Sequence, residues 1–267
     1  MRYVYGEDVT TMIIDSHFHL GRYPSYLFYD VSVKNYLRRM DRMGIGYCIS
    51  TNLRGLCGDI RGGVEEDRRA YEESNGRIMS YFVFDPCFGR LCIDLMEKNY
   101  DRKVFKGIKL HPSFHLTYAD DPAYEIAWEY ARDMKLPIIS HTWEISATNN
   151  TQKYSYPPLF EKYIEKYDDV TFICGHTGGK FDGIQQCVKL MKNYANVYSD
   201  TAGDVYYNRF PEYIVKEVGS ERLLYGSDAF MIDCRTQLGM ILDADMQLKD
   251  KENILYRNAE RIFGLKA

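Results

Sequence analysis

The chain has 267 residues, of which 45% are hydrophobic and 27% charged, and its formal net charge is −4. That length suits one large or two ordinary domains, and barrels of the (β/α) type use about 200–250 residues as one unit. The composition excludes a disordered or collagen-like chain, the apolar runs are too short to span a bilayer, and the acidic balance argues against a broad phosphate-binding surface.

Runs of β-branched and aromatic residues predict eight strands: Met12–Ser16, Tyr47–Thr51, Ile78–Phe84, Val104–Leu110, Leu136–Ser140, Val170–Cys174, Asn196–Ser199 and Arg222–Tyr225. Helical periodicity fills the intervals. Val33, Tyr36, Leu37 and Met40 share one stripe, and Gly44 can end that helix in a left-handed conformation. Asp121 caps and Pro122 opens a helix reaching Met134, with Ala123, Ile126, Ala127, Tyr130 and Met134 on its apolar face. Ile184, Val188 and Met191 mark another, and a last helix over Lys251–Phe263 is expected to close over the barrel's rim. Strands alternating with helices predict an α/β fold, a single (β/α)8 TIM barrel using residues 1–267 as one domain. An open doubly wound sheet gives the same strand and helix signals.

The seven cysteines include no CxxC pair, and the opening MRYVYGEDVT lacks the apolar stretch of a signal peptide. Both features predict a reduced, cytoplasmic protein.

Only six histidines occur, so their positions carry information. In the segment Ile13-Ile14-Asp15-Ser16-His17-Phe18-His19, extended backbone sends His17 and His19 to the same side, about 6.6 Å apart. Two imidazoles so placed can share one metal ion; otherwise they are two polar side chains after a strand. His141 and His176 each lie just past the carboxyl end of a predicted strand, and Asp228 holds the same position after the eighth. A barrel gathers those ends on the face where its chemistry is done. Four imidazoles and a carboxylate suit Zn²⁺ or another divalent ion.

Lys109 and His111 end the fourth strand and alternate onto one face. An inward lysine is costly unless paired. Lys109 can hold a substrate carboxylate, pair with Asp228, become carboxylated and bridge a second metal, or serve only as a supporting ion pair. His111 is placed with it as a substrate contact. His115, beyond Pro112, is read as a loop residue and not a ligand.

These stretches, IIDSHFHL, FKGIKLHP, PIISHT, ICGHTGG, LLYGSDAF and ILYRNAERIFGL, resemble the amidohydrolase superfamily. The resemblance is to its amidohydrolase-related branch, which includes the aminocarboxymuconate-semialdehyde decarboxylase group, and it runs from residue 13 to residue 265. It implies a distorted barrel with a metal at the carboxyl ends of the strands. By the same resemblance His17, His19, His141 and Asp228 are the ligands of one Zn²⁺. His176 matches a histidine that acts in catalysis or polarises the substrate, and Lys109 lies on the strand that supplies the carboxylated lysine of two-metal members.

The expected activity is hydrolysis of a small ester, lactone or amide by metal-activated water, with Asp228 moving the proton and His176 orienting the attack. The alternative on the same site is non-oxidative decarboxylation of a small carboxylic acid. Arg54, after the second strand, is then a candidate for holding the departing carboxylate, or it is a solvated loop arginine. Aromatic loops, Gly21–Asp30 with Tyr23, Tyr26, Phe28 and Tyr29, and Trp143–Pro158, suit a small-molecule pocket, with neither nucleic acid nor membrane as partner. A symmetric homo-oligomer is the default assembly. Two further readings are a phosphodiesterase of the TatD deoxyribonuclease type, whose opening motif is similar but whose glutamate-bearing strand and ETDAP-like ending differ, and a metal-binding barrel without turnover.

Overall fold

The computed structural model describes residues 13–23, 25 and 29–266. Its eight strands are β1 (Ile13–Leu20), β2 (Ile45–Asn52), β3 (Ile78–Val83), β4 (Phe105–Leu110), β5 (Ile138–His141), β6 (Phe172–Gly175), β7 (Val197–Asp200) and β8 (Leu223–Leu224). All seven ladders are parallel and the spatial order follows the sequence, β1 to β8. This is the (β/α)8 barrel, and the open doubly wound alternative, which requires a strand-order reversal, is set aside.

Each expected strand is present, with shifted ends. Met12, the expected start of the first, lies outside the described residues, and β1 instead continues through both histidines to Leu20. Every residue of β1 and β3 is buried; β3 reads as a near-continuous apolar run, as parallel strands covered on both faces do, whereas β1 buries Asp15, Ser16, His17 and His19 among its apolar residues.

The helix Val33–Met43 forms as its periodicity requires: the Ser32 hydroxyl accepts from the Asn35 amide, and Gly44 ends it at φ 71°. The helix expected from Pro122 opens with a 3₁₀ turn, Pro122–Tyr124, before the α-helix Glu125–Met134. A 3₁₀ turn advances about 120° per residue instead of 100°, which rotates the apolar stripe. Ala123 is consequently exposed, while Tyr124 and Trp128 take its place in the core. The last helix begins earlier than expected, at Leu248, and carries a π turn over Asn253–Arg257 before Asn258–Phe263. It packs against the entry to β8, where Asn258 Nδ2 donates to the Ser220 and Leu223 carbonyls.

Closure between β8 and β1 uses backbone bonds from the segment that follows the short eighth strand. The Ser16 amide donates to the Tyr225 carbonyl at 2.9 Å, the Asp228 amide to the His17 carbonyl at 2.8 Å, and the His19 amide to the Ala229 carbonyl at 2.6 Å. The buried Asp15 carboxylate accepts from the Ser227 amide at 3.0 Å across the same seam. Among the described residues no helix is long and apolar enough to cross a membrane.

A second buried carboxylate, Asp67 on the helix Ile60–Glu73, ties that helix to two strands through Ser80 Oγ at 2.9 Å and Asn52 Nδ2 at 3.3 Å. Burial pushes its carboxyl up to about 8. The folded state therefore holds a proton there that the unfolded state releases near pH 4, and this stabilisation is lost as pH rises through about 8, by up to about 1.4 kcal/mol per pH unit. Asp67→Asn is expected to flatten the decline in unfolding free energy between pH 4 and 8, measured by urea titration at each pH.

Candidate metal centre

At the carboxyl ends of β1, β6 and β8, one donor atom each from His17, His176 and Asp228 gather within 4.8 Å of one another, all on buried side chains. His17 comes from inside β1, His176 from the residue after β6, and Asp228 from the segment that closes the barrel. His176, Thr177 and Asp228 have positive φ values of 65°, 45° and 58°, a conformation that side chains with a Cβ rarely adopt. Strain of this kind persists where surrounding structure enforces it, and it concentrates at functional sites. Here Gly203 lies against His176 Nδ1 so closely that a Cβ would clash with the ring.

Asp200, the last residue of β7, organises the cluster from behind. Its Oδ2 accepts from His17 Nδ1 at 2.8 Å, and its Oδ1 accepts from the His176 and Ala202 amides at 2.8 and 3.0 Å. His17 therefore carries its proton on Nδ1 and turns the Nε2 lone pair inward, the arrangement that metal-binding imidazoles adopt. Lys109 Nζ donates to that lone pair at 3.0 Å, and Asp228 Oδ1 stands 3.8 Å from it. His19 Nε2 is 2.8 Å from the same Asp228 oxygen.

Burial drives the pKa of His17 far below the ordinary imidazole value, with the Lys109 charge adding to the effect. Burial does the same to His111 and His141, and lowers His176 to about 4. These rings are neutral near pH 7, so each keeps one unprotonated nitrogen, which on His17 accepts from Lys109. Burial also lowers Lys109 to about 8 against the opposing pull of Asp200 and Asp228. For Asp228, burial acts upward but is outweighed by the bond from His19 and the neighbouring imidazoles, and the carboxyl stays below the usual range. Neutral imidazoles around an ionised carboxylate form a nitrogen and oxygen donor set that fits a divalent cation.

A family model described as Amidohydrolase (Amidohydro_2) matches residues 14–265. The chain belongs to the amidohydrolase family. No functionally curated protein matches its sequence. Among solved structures, this amidohydrolase is similar to an amidohydrolase II at 17% identity and TM-score 0.73, over 95% of this chain and 100% of that one. It is also similar to the 2,6-dihydroxybenzoate decarboxylase from Rhizobium, at 15% identity and TM-score 0.70 over 96% and 99% of the two chains. A third is the 5-carboxyvanillate decarboxylase from Novosphingobium aromaticivorans, crystallised with manganese and 4-hydroxy-3-methoxy-5-nitrobenzoic acid, at 13% identity and TM-score 0.73 over 96% and 97%.

The amidohydrolase places the expected residues unevenly. His17, His19, His176, Asp228 and Lys109 come together as described. His176, expected to act on the substrate, stands inside the donor group. His141, expected as a ligand, stands outside it: its Nε2 donates to Gln152 Oε1 at 2.8 Å, and Gln152 also accepts from Ser113 Oγ at 3.1 Å. His141 stacks on His111 with ring centroids 4.2 Å apart and lies parallel to Trp143 at 5.7 Å. Trp143 in turn rests on Gly179, where a Cβ would overlap the indole.

Arg54 does not join the cluster. It pairs with Asp59 at 2.6 Å and Glu66 at 3.2 Å, so two carboxylates already neutralise the cation assigned to a substrate carboxylate. His115 is outside the donor group as expected, buried 3.8 Å from Asp85 Oδ2. Of the aromatic loop residues, Tyr23 meets Phe114 edge-on at 5.7 Å and Tyr29 is fully exposed, while Tyr26 and Phe28 lie outside the described residues.

Sequence reasoning missed Asp200 and Gln152. Asp200 follows the run Asn196–Ser199 in the way that Asp228 follows β8, so the rule that singled out the other strand-end residues also reaches it. Gln152 has no comparable signal, because it arrives from a long loop. Removing the outer partner of a metal-binding histidine typically weakens metal affinity about 10–100-fold. Asp200→Ala is expected to lose affinity in that range, read by competition with a chelator, whereas Asp204→Ala, on an exposed neighbour, is expected to leave it unchanged.

Proposed function

We propose that this amidohydrolase hydrolyses a small ester, lactone or amide with one Zn²⁺ held by His17, His176 and Asp228, His19 standing beside the Asp228 oxygen. The observation that carries this reading is the meeting of three buried donor atoms from three strands within 4.8 Å. Two imidazoles and one carboxylate form a donor set that hydrolytic zinc sites use, with a further position left for water or substrate. The ion, when bound, supplies a water acidic enough to ionise near neutral pH and a Lewis acid for the substrate carbonyl.

The remaining work falls to this chain's side chains. Asp228 is ionised, so it can take the proton of the attacking water and return it to the leaving oxygen or nitrogen. Asp200 keeps His17 oriented through Nδ1. Lys109 is the only buried lysine among the described residues, and it brings positive charge to a substrate carboxylate or a developing oxyanion. Trp143, His141 and His111 line one side as parallel rings.

Non-oxidative decarboxylation is the second reading. The ring stack offers a flat wall to an aromatic acid, Lys109 can hold its carboxylate, and two of the similar structures are decarboxylases of such acids.

Protein purified without chelator is expected to contain about one divalent ion per chain, lost in the His17→Ala, His19→Ala double variant. Metal retained in that variant would sink the assignment. A panel of esters, lactones, amides and aromatic acids, followed by acid release and by CO₂ release, separates the two readings. Asp228→Asn should lower kcat about 10²–10⁴-fold on whichever substrate is found. A stoichiometric metal with no turnover on either panel would favour the non-catalytic barrel.

A further inference from the structure

The imidazoles around the site differ in what holds their outer nitrogen, and His111 is held in the opposite sense from its neighbours. His17 and His141 each donate outward, to Asp200 and to Gln152, which leaves a lone pair on the other nitrogen. His111 accepts instead. The Phe114 amide, which also donates to the His111 carbonyl at 2.9 Å, lies 3.2 Å from His111 Nδ1, the side chain acting as N-cap of the short helix Pro112–His115. A ring nitrogen that accepts a hydrogen bond carries no proton, so the proton of the neutral ring is on Nε2.

That Nε2–H has no protein acceptor among the described residues. It belongs to a ring that follows Lys109 by two positions at the end of β4 and is stacked 4.2 Å from His141, which is itself 4.8 Å from the His176 ring. The stack prevents His111 from rotating away, and Gln152 fixes the far side of the stack. His111 is only partly buried, so this fixed donor is open to an oxygen of solvent or of a bound substrate.

We infer that His111 is a substrate-positioning residue whose locked Nε2–H donates to a carboxylate or carbonyl oxygen of the substrate, and that it acts neither as a metal ligand nor as a base. The inference rests on the proposed metal-dependent site for its substrate, but the tautomer stands independently of it. Lys109 and His111 then form a two-point receptor for an anionic oxygen, one supplying charge and the other a directed hydrogen bond.

The test uses ¹⁵N-histidine-labelled full-length protein, with and without Zn²⁺, and benzoate as probe. Long-range ¹H–¹⁵N correlation is expected to show His111 protonated on Nε2 in both forms. Benzoate should shift that proton downfield in the zinc-loaded protein. His111→Phe should weaken benzoate binding about tenfold or more, the loss expected for one hydrogen bond to a charged group. His111→Gln, which retains an N–H donor, should recover most of the affinity, with the metal content of both variants unchanged. A proton on Nδ1, absence of benzoate binding to zinc-loaded wild type, equal affinity in His111→Phe, or loss of metal in that variant would each overturn the inference. A wild-type protein that binds no metal defeats the proposed function and with it the substrate role of His111, whereas a proton found on Nδ1 defeats the inference and leaves the proposed function standing.

Discussion

The seam between β1 and β8 is the constraint on which the rest of this molecule depends. A parallel barrel must satisfy the last free strand edge, and the two residues of β8 pair with β7 rather than with β1. The chain completes the closure with the segment that follows. The amides of Asp228 and His19 bond to the carbonyls of His17 and Ala229, so closing the sheet and setting the spacing of His17, His19 and Asp228 are done by the same hydrogen bonds. Asp15 strengthens the seam from within, since its buried carboxylate accepts from the amides of His17 and Ser227 together.

Behind this seam the burial of the cluster does chemical as well as structural work. Water exclusion discharges the imidazoles, and discharged imidazoles are the form that can bind a cation. Asp200 spends its two oxygens on opposite tasks, one orienting the His17 ring and the other holding the turn after β6 through the His176 amide. The strained backbone at His176 and Asp228 shows that the fold, rather than local preference, decides where these side chains sit.

The strands were readable because a parallel barrel buries both faces of each one, leaving apolar runs bounded by polar turns. The strand-end rule points to His17, His19, His176 and Asp228, which the fold brings together, and applied to the seventh strand the same rule reaches Asp200. What stayed hidden depends on long-range packing. Gln152 captures His141 from a loop whose course no periodicity encodes, and Asp59 and Glu66 claim Arg54 through a helix that begins only after it. The rotated face of Glu125–Met134 came from a single 3₁₀ turn, a local choice beneath the resolution of a periodicity count.

Membership of the amidohydrolase family sets the barrel and the position of its chemistry, while similarities of 13–17% to solved structures show the fold alone. The account therefore turns on whether the seam residues hold an ion. Anomalous diffraction at the zinc edge, from crystals of protein loaded with Zn²⁺, tests this most directly. One peak enclosed by His17, His176 and Asp228 is the predicted result; an ordered cluster with no peak between His17 and Asp228 would contradict it.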